Sequence, residues 1–444
     1  MKPGPDGSTI FALASGAGRA GVAVLRISGP GAGAALAALA GPPPPPRRAA
    51  VRSLKDPRTG EVLDQALALW FPGPASFTGE DVAELHLHGG QAVIAAVADA
   101  LAAQPGLRLA APGEFTRRAF ENGKLDLAQA EGLADLIDAE TEGQRRQALR
   151  QMEGALGARV AGWRDALLKA MALVEAEIDF PDEDVPGGVS ALAAPILADL
   201  EADMRAELAN AGRGARVRDG YRIAILGAPN AGKSSLLNAL AGRDAAIVSD
   251  IPGTTRDVIE IRLILAGFPV WIADTAGLRE AADAIEAEGV RRALARAEEA
   301  DLRLALVAPS DAPDPALLAM LRPDDLVLRS KADIGDGAQA SVAADLSISV
   351  RTGEGVTALL DRLAARVVAA LGGAGAPALT RVRHTALVTE AADALARAQT
   401  ALAAAPELAG EDLRLAAHAF GRLVGRIDVE DVLGEIFSSF CIGK

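Results

Sequence analysis

Tyr221-Arg222-Ile223-Ala224-Ile225-Leu226 runs into Gly227-Ala228-Pro229-Asn230-Ala231-Gly232-Lys233-Ser234, and Ser235 to Ala241 follows with leucines at helical spacing. The loop matches G-x-x-x-x-G-K-[ST] in the strand, loop, helix setting that this motif requires. Glycines let the backbone N–H groups from Asn230 through Ala231 and Gly232 to Ser235 wrap a phosphate, and the helix N-terminus favours an anion. Lys233 supplies the charge for the β- and γ-phosphates, and the Ser234 hydroxyl can bind Mg²⁺. A phosphate-binding α/β domain is therefore the starting point.

Outward from this loop, residues 221–371 alternate strand and helix, as an α/β sheet requires. A Gly/Ala/Pro linker at 372–378 closes the region. On its N-terminal side the pattern is helical from Leu125 to about Asp179, breaks at Pro181–Gly188, and resumes from about Ala191 to Asn210. Leu and Ala at three- and four-residue spacings carry that reading. Helical patterning returns after 378. The first stretch, about 1–120, mixes strands (21–27, 61–71, 81–88) with turns and a helix from Gln91 to Ala103, and the tract Gly41–Arg48, GPPPPPRR, reads as an exposed loop. The expected architecture is a multidomain α/β plus α chain. An N-terminal α+β domain spans 1–122, a discontinuous helical domain takes 123–217 and 378–444, and a P-loop α/β domain at 218–377 is inserted into it.

Composition narrows the function. With 444 residues, two or three domains are expected. A net charge of −14 and 3% aromatics argue against a broad surface that coats nucleic acid unaided. The single cysteine, Cys441, excludes an intrachain disulfide. The N-terminus has no signal-peptide pattern, and no apolar run approaches the ~18 residues of a membrane span. A cytoplasmic setting is expected.

Four further strings specify the nucleotide. Asp250-Ile251-Pro252-Gly253-Thr254-Thr255-Arg256-Asp257 follows the first helix of the domain and resembles a GTPase switch I loop, whose threonine reaches Mg²⁺. Ile272-Ala273-Asp274-Thr275-Ala276-Gly277 is a strand ending in D-T-A-G, where the Asp holds the metal's water shell and the Gly N–H meets the γ-phosphate. Ser330-Lys331-Ala332-Asp333 follows the strand Leu326–Leu328 and resembles the guanine-reading N-K-x-D motif. Its carboxylate accepts from the ring N–H and the exocyclic amine of guanine, a pattern adenine lacks. Ser349-Val350-Arg351 resembles the loop whose backbone contacts guanine O6. Ser330 departs from the motif's Asn. Weaker guanine affinity or looser anchoring of this loop is expected, with guanine preference kept through Asp333.

Position 278 is Leu, where many small GTPases carry the water-orienting Gln. Catalysis must come from elsewhere. Asn230 could ligand a monovalent cation beside the phosphates, the region 278–286 is rich in carboxylates, and Arg256 and Arg279 are rival arginine donors.

P-N-A-G-K-S-S-L-L-N from 229, I-V-S-D-I-P-G-T-T-R-D from 247 and D-T-A-G-L-R from 274 resemble the tRNA wobble-uridine modification GTPase family, MnmE or TrmE. So do F-P-G-P-A-S-F-T-G-E-D-V at 71–82, P-G-E-F-T at 112–116, K-L-D-L-A-Q-A-E at 124–131 and the ending Phe440-Cys441-Ile442-Gly443-Lys444. The resemblance covers essentially the whole chain. It implies a potassium-dependent GTPase that is a homodimer through its N-terminal domain. With a flavoprotein partner, in a heterotetramer that engages tRNA, the family adds an aminomethyl or carboxymethylaminomethyl group to C5 of the wobble uridine. It implies that the N-terminal domain binds 5-formyltetrahydrofolate or a related folate. On matching positions it implies potassium on Asn230, Ser249, Ile251 and Thr254; magnesium on Ser234 and Thr255; and Glu286 acting on the water. It places GTP contacts also on Asp250, Pro252, Gly253, Thr275, Ala276, Gly277, Lys331 and Val350. Folate would be held by Arg26, Glu84 (with Glu80 close by), Lys124 and Lys444, and Cys441 has a possible part in the modification chemistry.

From the residues alone, Arg26 reads as an ordinary strand-end arginine and Cys441 as a small buried hydrophobe, while for Glu286 a solvated helix charge is the rival reading. His86 and His88 lack a third neighbouring ligand for a metal. A ribosome-assembly or signalling switch shares the GTPase motifs, but it would need a basic or aromatic RNA-binding module, and the acidic, aromatic-poor flanks do not supply one.

Overall fold

The computed structural model describes residues 7–16, 18–179, 189–242, 260–274, 296–309, 315–334, 343–373, 375, 377–425, 427, 433–434, 436–437, 440 and 443. The chain forms two compact units: one of 1–134, 151–201 and 387–444, the other of 135–150 and 202–386.

The first unit opens with six strands, β1 (Thr9–Leu13), β2 (Ala20–Ser28), β3 (Ala50–Lys55), β4 (Val62–Phe71), β5 (Val82–Gly89) and β6 (Leu107–Leu109), in the order β3-β4-β5-β2-β1-β6. All neighbours are antiparallel except β1 and β6. Helices α1 (Ala32–Ala40) and α2 (Gln91–Ala102) bury Leu36, Leu39, Val97 and Leu101 with Leu25, Ile27, Leu85 and Leu87 of the sheet. The inward face of β5 is thus apolar, which accounts for the alternation in 81–88. Gly41–Arg48 is irregular, as its prolines require. Helix α3 (Glu114–Glu121) follows β6.

The stretch 125–179, expected as continuous helix, is three helices: α4 (Leu127–Ile137), α5 (Glu142–Met152) and α6 (Ala155–Asp179). Thr141 and Gln144 cap each other's backbone at the first break, with Gln144 N to Thr141 Oγ1 at 3.3 Å and Thr141 N to Gln144 Oε1 at 3.1 Å. Gly154 at φ +89 makes the second. These local bonds end a helix that the apolar spacing would continue. Helix α7 (Ala193–Asp219) outruns its expected end.

The second unit holds a sheet of β7 (Tyr221–Gly227), β8 (Glu260–Leu265), β9 (Phe268–Asp274), β10 (Leu302–Val307), β11 (Leu326–Arg329) and β12 (Leu346–Ser347), in the order β12-β11-β10-β7-β9-β8. Only the edge strand β8 is antiparallel. From Ile223 onward β7 is buried on both faces, as a central parallel strand should be. Helix α8 (Lys233–Ala241) follows β7, and later come α9 (Pro315–Ala319) and α10 (Val356–Leu371). Leu236, Leu240, Leu359 and Leu363 pack on one sheet face, while Ala297, Ala300 and Leu317 cover Ala224 and Leu226 on the other.

Residues 135–150 belong with this sheet, not with the helices around them. Gly143 N donates to Gly267 O at 2.9 Å at the β8–β9 turn, and a Cβ on Gly143 would lie 2.6 Å from the Phe268 ring. Glu140 pairs with Arg262, whose guanidinium stacks 5.2 Å from the Trp271 ring. Trp271 Nε1 donates to Asp219 O at 2.9 Å.

Helices α11 (Val382–Ala401) and α12 (Pro406–Leu423) follow. In the first unit α12 packs on α6, with the Phe420 and Trp163 rings 5.9 Å apart. Among the described residues no helix is long and apolar enough to cross a membrane.

Candidate functional site

The phosphate loop lies at the carboxyl end of β7, the usual place for ligands in an open α/β sheet. Asn230 at φ +65 and Gly232 at φ +97 turn the chain into α8. Positive φ is costly for most residues and easiest for Gly and Asn, so the loop's sequence follows from its shape. Gly227 is also spatially obligatory, because a Cβ there would lie 2.6 Å from Leu306 O on the neighbouring strand.

Lys233 Nζ donates to Gly227 O at 2.8 Å and Ala228 O at 3.0 Å, which holds the ammonium against the loop. Burial pushes its pKa below the ordinary lysine value, with the nearby Asp274 charge opposing. Ser234 Oγ donates to Asp274 Oδ2 at 2.6 Å. Asp274 is 3% exposed, and its Oδ1 is buried without a hydrogen-bond partner among the described residues. The Ser234 hydroxyl and the two oxygens of the Asp274 carboxylate, one of them orphaned, thus meet beside Lys233, and all are hard oxygen donors of the kind Mg²⁺ takes.

Ser330–Asp333 and Ser349–Arg351, the segments expected to read the base, follow β11 and β12. Ser330 N donates to Val307 O at 3.0 Å, and Ala332 N to Ile348 O at 3.0 Å. Lys331 adopts φ +54. Ser349 Oγ donates to Asp333 Oδ1 at 2.5 Å, and Arg351 Nε to Asp333 Oδ2 at 2.7 Å. The Ser349 hydroxyl first, then the Arg351 guanidinium, hold the Asp333 carboxyl below the usual carboxylate range. The ion pair between Arg351 and Asp333 was not legible in the sequence, which suggested only a backbone role for 349–351.

A second cluster forms in the first unit. Arg26 and Glu84 are directly opposite in the β2–β5 register. Arg26 Nε donates to Glu84 Oε1 at 2.9 Å. The guanidinium also lies 5.4 Å from the Phe77 ring and 5.7 Å from the Phe115 ring. Sequence reasoning missed both aromatics. Phe115 lies within P-G-E-F-T and Phe77 within F-P-G-P-A-S-F-T-G-E-D-V, but only the fold brings them to Arg26. Lys124 Nζ donates to Pro74 O at 3.1 Å, at the other end of the loop that carries Phe77. Gly443 sits on β1, where a Cβ would lie 1.9 Å from Leu13 O, and Leu13 pairs with Leu25, next to Arg26.

Glu80, the neighbour of Glu84 in sequence, has a different environment. It is 1% exposed and pairs with the equally buried Arg118 at 3.1 Å, and it accepts from Ser28 Oγ at 2.8 Å. Arg118 Nη2 also donates to Glu114 Oε1 at 3.0 Å. His88 Nδ1 lies 2.7 Å from Asp64 Oδ1, and His86 Nε2 3.6 Å from Glu84. Among the described residues no cluster of three or more His, Cys, Asp or Glu could hold a metal ion.

Ser249, Asp250, Ile251, Pro252, Gly253, Thr254, Thr255, Arg256, Thr275, Ala276, Gly277, Leu278, Arg279, Glu286, Cys441 and Lys444 lie outside the described residues.

Comparison with known proteins gives the family. The family described as the GTP-binding protein TrmE N-terminus matches residues 9–124, and the MnmE helical domain matches residues 127–441. A "tRNA modification GTPase MnmE" of Parvibaculum lavamentivorans is 59% identical over 98% of this chain and 100% of its own length. Proteins of the same name from Phenylobacterium zucineum and Maricaulis maris are each 58% identical, over 98% of this chain and 99% and 100% of theirs. The P-loop, the base-reading loop and the N-terminal arginine–glutamate pair therefore sit in a chain that belongs, over nearly its whole length, to the MnmE (TrmE) family.

Proposed function

We propose that this chain is a GTP hydrolase that acts in tRNA modification, at C5 of the wobble uridine of certain tRNAs. The full-length likeness to proteins named tRNA modification GTPase MnmE supports the hydrolase and its tRNA setting. One observation carries the nucleotide chemistry: the Ser234 hydroxyl is bonded to Asp274, whose second oxygen is buried and unpaired, beside the phosphate lysine. Ser234 and Thr255 would hold magnesium, with Asp274 holding its water shell, and the ion would draw charge from the β- and γ-phosphates when bound. Lys233 and the loop amides bind and orient the phosphates. Asp333 selects guanine.

The finer reading follows the family pattern. Asn230, with Ser249, Ile251 and Thr254, would hold potassium, and Glu286 would orient the attacking water. Arg26, Glu84, Lys124 and Lys444 would hold 5-formyltetrahydrofolate or a related folate. The pairing of Arg26 with Glu84, and the reach of one loop from Phe77 to Pro74 at Lys124, support that grouping. The functional division is 1–122 for folate and dimerisation, 123–217 with 378–444 as the helical domain, and 218–377 for GTP. A homodimer, a flavoprotein partner completing a heterotetramer, and a cytoplasmic location belong to the same reading.

Steady-state GTP turnover in potassium chloride and in sodium chloride, at equal ionic strength, tests the cation. Turnover is faster in potassium, and Asn230→Ala removes that difference while GDP binding persists. Equal wild-type rates in both salts would transfer the catalytic role to Arg256 or Arg279 and leave the hydrolase intact.

A further inference from the structure

The base-reading loop is anchored unequally on its two sides. Toward the phosphate loop stands Ser330, 4% exposed, whose hydroxyl, among the described residues, reaches only Val307 O at a long 3.5 Å. Its Cβ lies 3.9 Å from the point that a Cβ on Gly232 would occupy, so the two loops are neighbours there. An asparagine would carry a donor and an acceptor into that gap, whereas serine stops short. On the other side the loop is held firmly. Ser349 is fully buried, and its hydroxyl fixes Asp333 Oδ1. Arg351 Nε then fixes Oδ2 from an exposed position, 76% accessible against 10% for Asp333.

A carboxylate reads guanine with both oxygens at once, one for the ring N–H and one for the exocyclic amine, so its plane must match the plane of the base. Carboxylate torsion about the last side-chain bond is soft, and one fixed oxygen does not set it. Two fixed oxygens do. Each oxygen has about two acceptor positions, so holding them from the protein side leaves one on each for the base.

We propose that Arg351 is a positioning residue for guanine recognition, setting the plane of the Asp333 carboxylate and so compensating for the anchor that Ser330 does not provide. The proposal rests on the reading of Asp333 as the guanine acceptor.

Calorimetric titration of GDP and IDP tests it, since hypoxanthine lacks the exocyclic amine. The proteins are wild type, Arg351→Ala, Ser330→Asn and the double variant. Arg351→Ala should lose about three- to tenfold in GDP affinity, as an exposed charge-assisted bond implies. It should lose much less for IDP, so that discrimination between the two falls. In the Ser330→Asn background the same change should have little effect, because coupled sites are not additive. Equal weakening toward GDP and IDP would make Arg351 a remote charge acting on the phosphates and overturn the proposal. So would unchanged GDP affinity, or strictly additive effects in the double variant. Wild type that binds ADP as tightly as GDP would remove the guanine reading itself.

Discussion

In the nucleotide domain, Gly227 to Ser234 brings backbone amides, an ammonium and a hydroxyl together within one short loop. In the N-terminal domain, Arg26, Phe77, Glu84 and Phe115 are scattered along the chain and meet only because β2 pairs with β5 and the segments carrying the two aromatics fold back to Arg26. Their support differs as well. The phosphate loop stands on buried parallel strands whose side chains are apolar. The loop that carries Phe77 is tied down by the buried Glu80–Arg118 pair, through Ser28 and Thr78. A contiguous motif can thus be read from sequence on any adequate sheet, whereas a dispersed one depends on register and on a polar core that must be satisfied throughout.

The largest expected effect separates the two supports. Arg118→Met removes the ion-pair partner of Glu80, which is 1% exposed, and costs about 3–5 kcal/mol. Chemical denaturation should show that loss, and GDP affinity should stay within about twofold, since separate sites with no shared partners are close to additive. Arg118→Met with Glu80→Leu should recover much of the stability. A fall in GDP affinity matching the loss of stability would mean that the two sites are not independent.

Next comes the N-terminal cluster itself. Arg26→Ala removes the partner of Glu84 and the cation between two aromatic rings. Affinity for 5-formyltetrahydrofolate, followed by calorimetry, should drop about 10- to 100-fold, the range expected for losing a charge-assisted contact. Glu80→Gln should act on stability and leave the ligand alone. If Glu80→Gln weakened folate binding and Arg26→Ala did not, the roles of the two carboxylates would be exchanged.

A smaller effect is expected where helix α5 meets the β8–β9 turn. Gly143→Ala pushes a methyl group into the Phe268 ring, at a cost of about 1–3 kcal/mol. Trp271 stacks beneath Arg262 in the same patch, so its fluorescence reports the disturbance directly. An unchanged denaturation midpoint and unchanged emission would show that 135–150 is not structurally joined to the nucleotide sheet.

These cases mark what the sequence could carry. The strand–loop–helix around Lys233 and the pairing of Asp333 with a strand end were legible, because their information is local. The breaks at Thr141 and Gly154 were not, because side-chain capping and one left-handed residue override an unbroken apolar spacing. The attachment of 135–150 to the nucleotide sheet depends on Glu140 meeting Arg262, and on Gly143 meeting Phe268, across more than a hundred positions. No periodicity encodes such a meeting. The aromatic walls around Arg26 were hidden for the same reason, although the residues themselves stood in recognisable strings.

The central claim is that Asp333 makes this a guanine-specific hydrolase. Steady-state hydrolysis of GTP, ATP and XTP by wild type and by Asp333→Asn tests it most directly. Xanthine offers a carbonyl where guanine has its amine, so an amide at 333 should suit it and a carboxylate should not. Wild type should hydrolyse GTP far better than ATP or XTP, and the variant should prefer XTP while keeping its phosphate site. Comparable wild-type turnover of ATP and GTP, or a variant that still prefers GTP, would contradict the account.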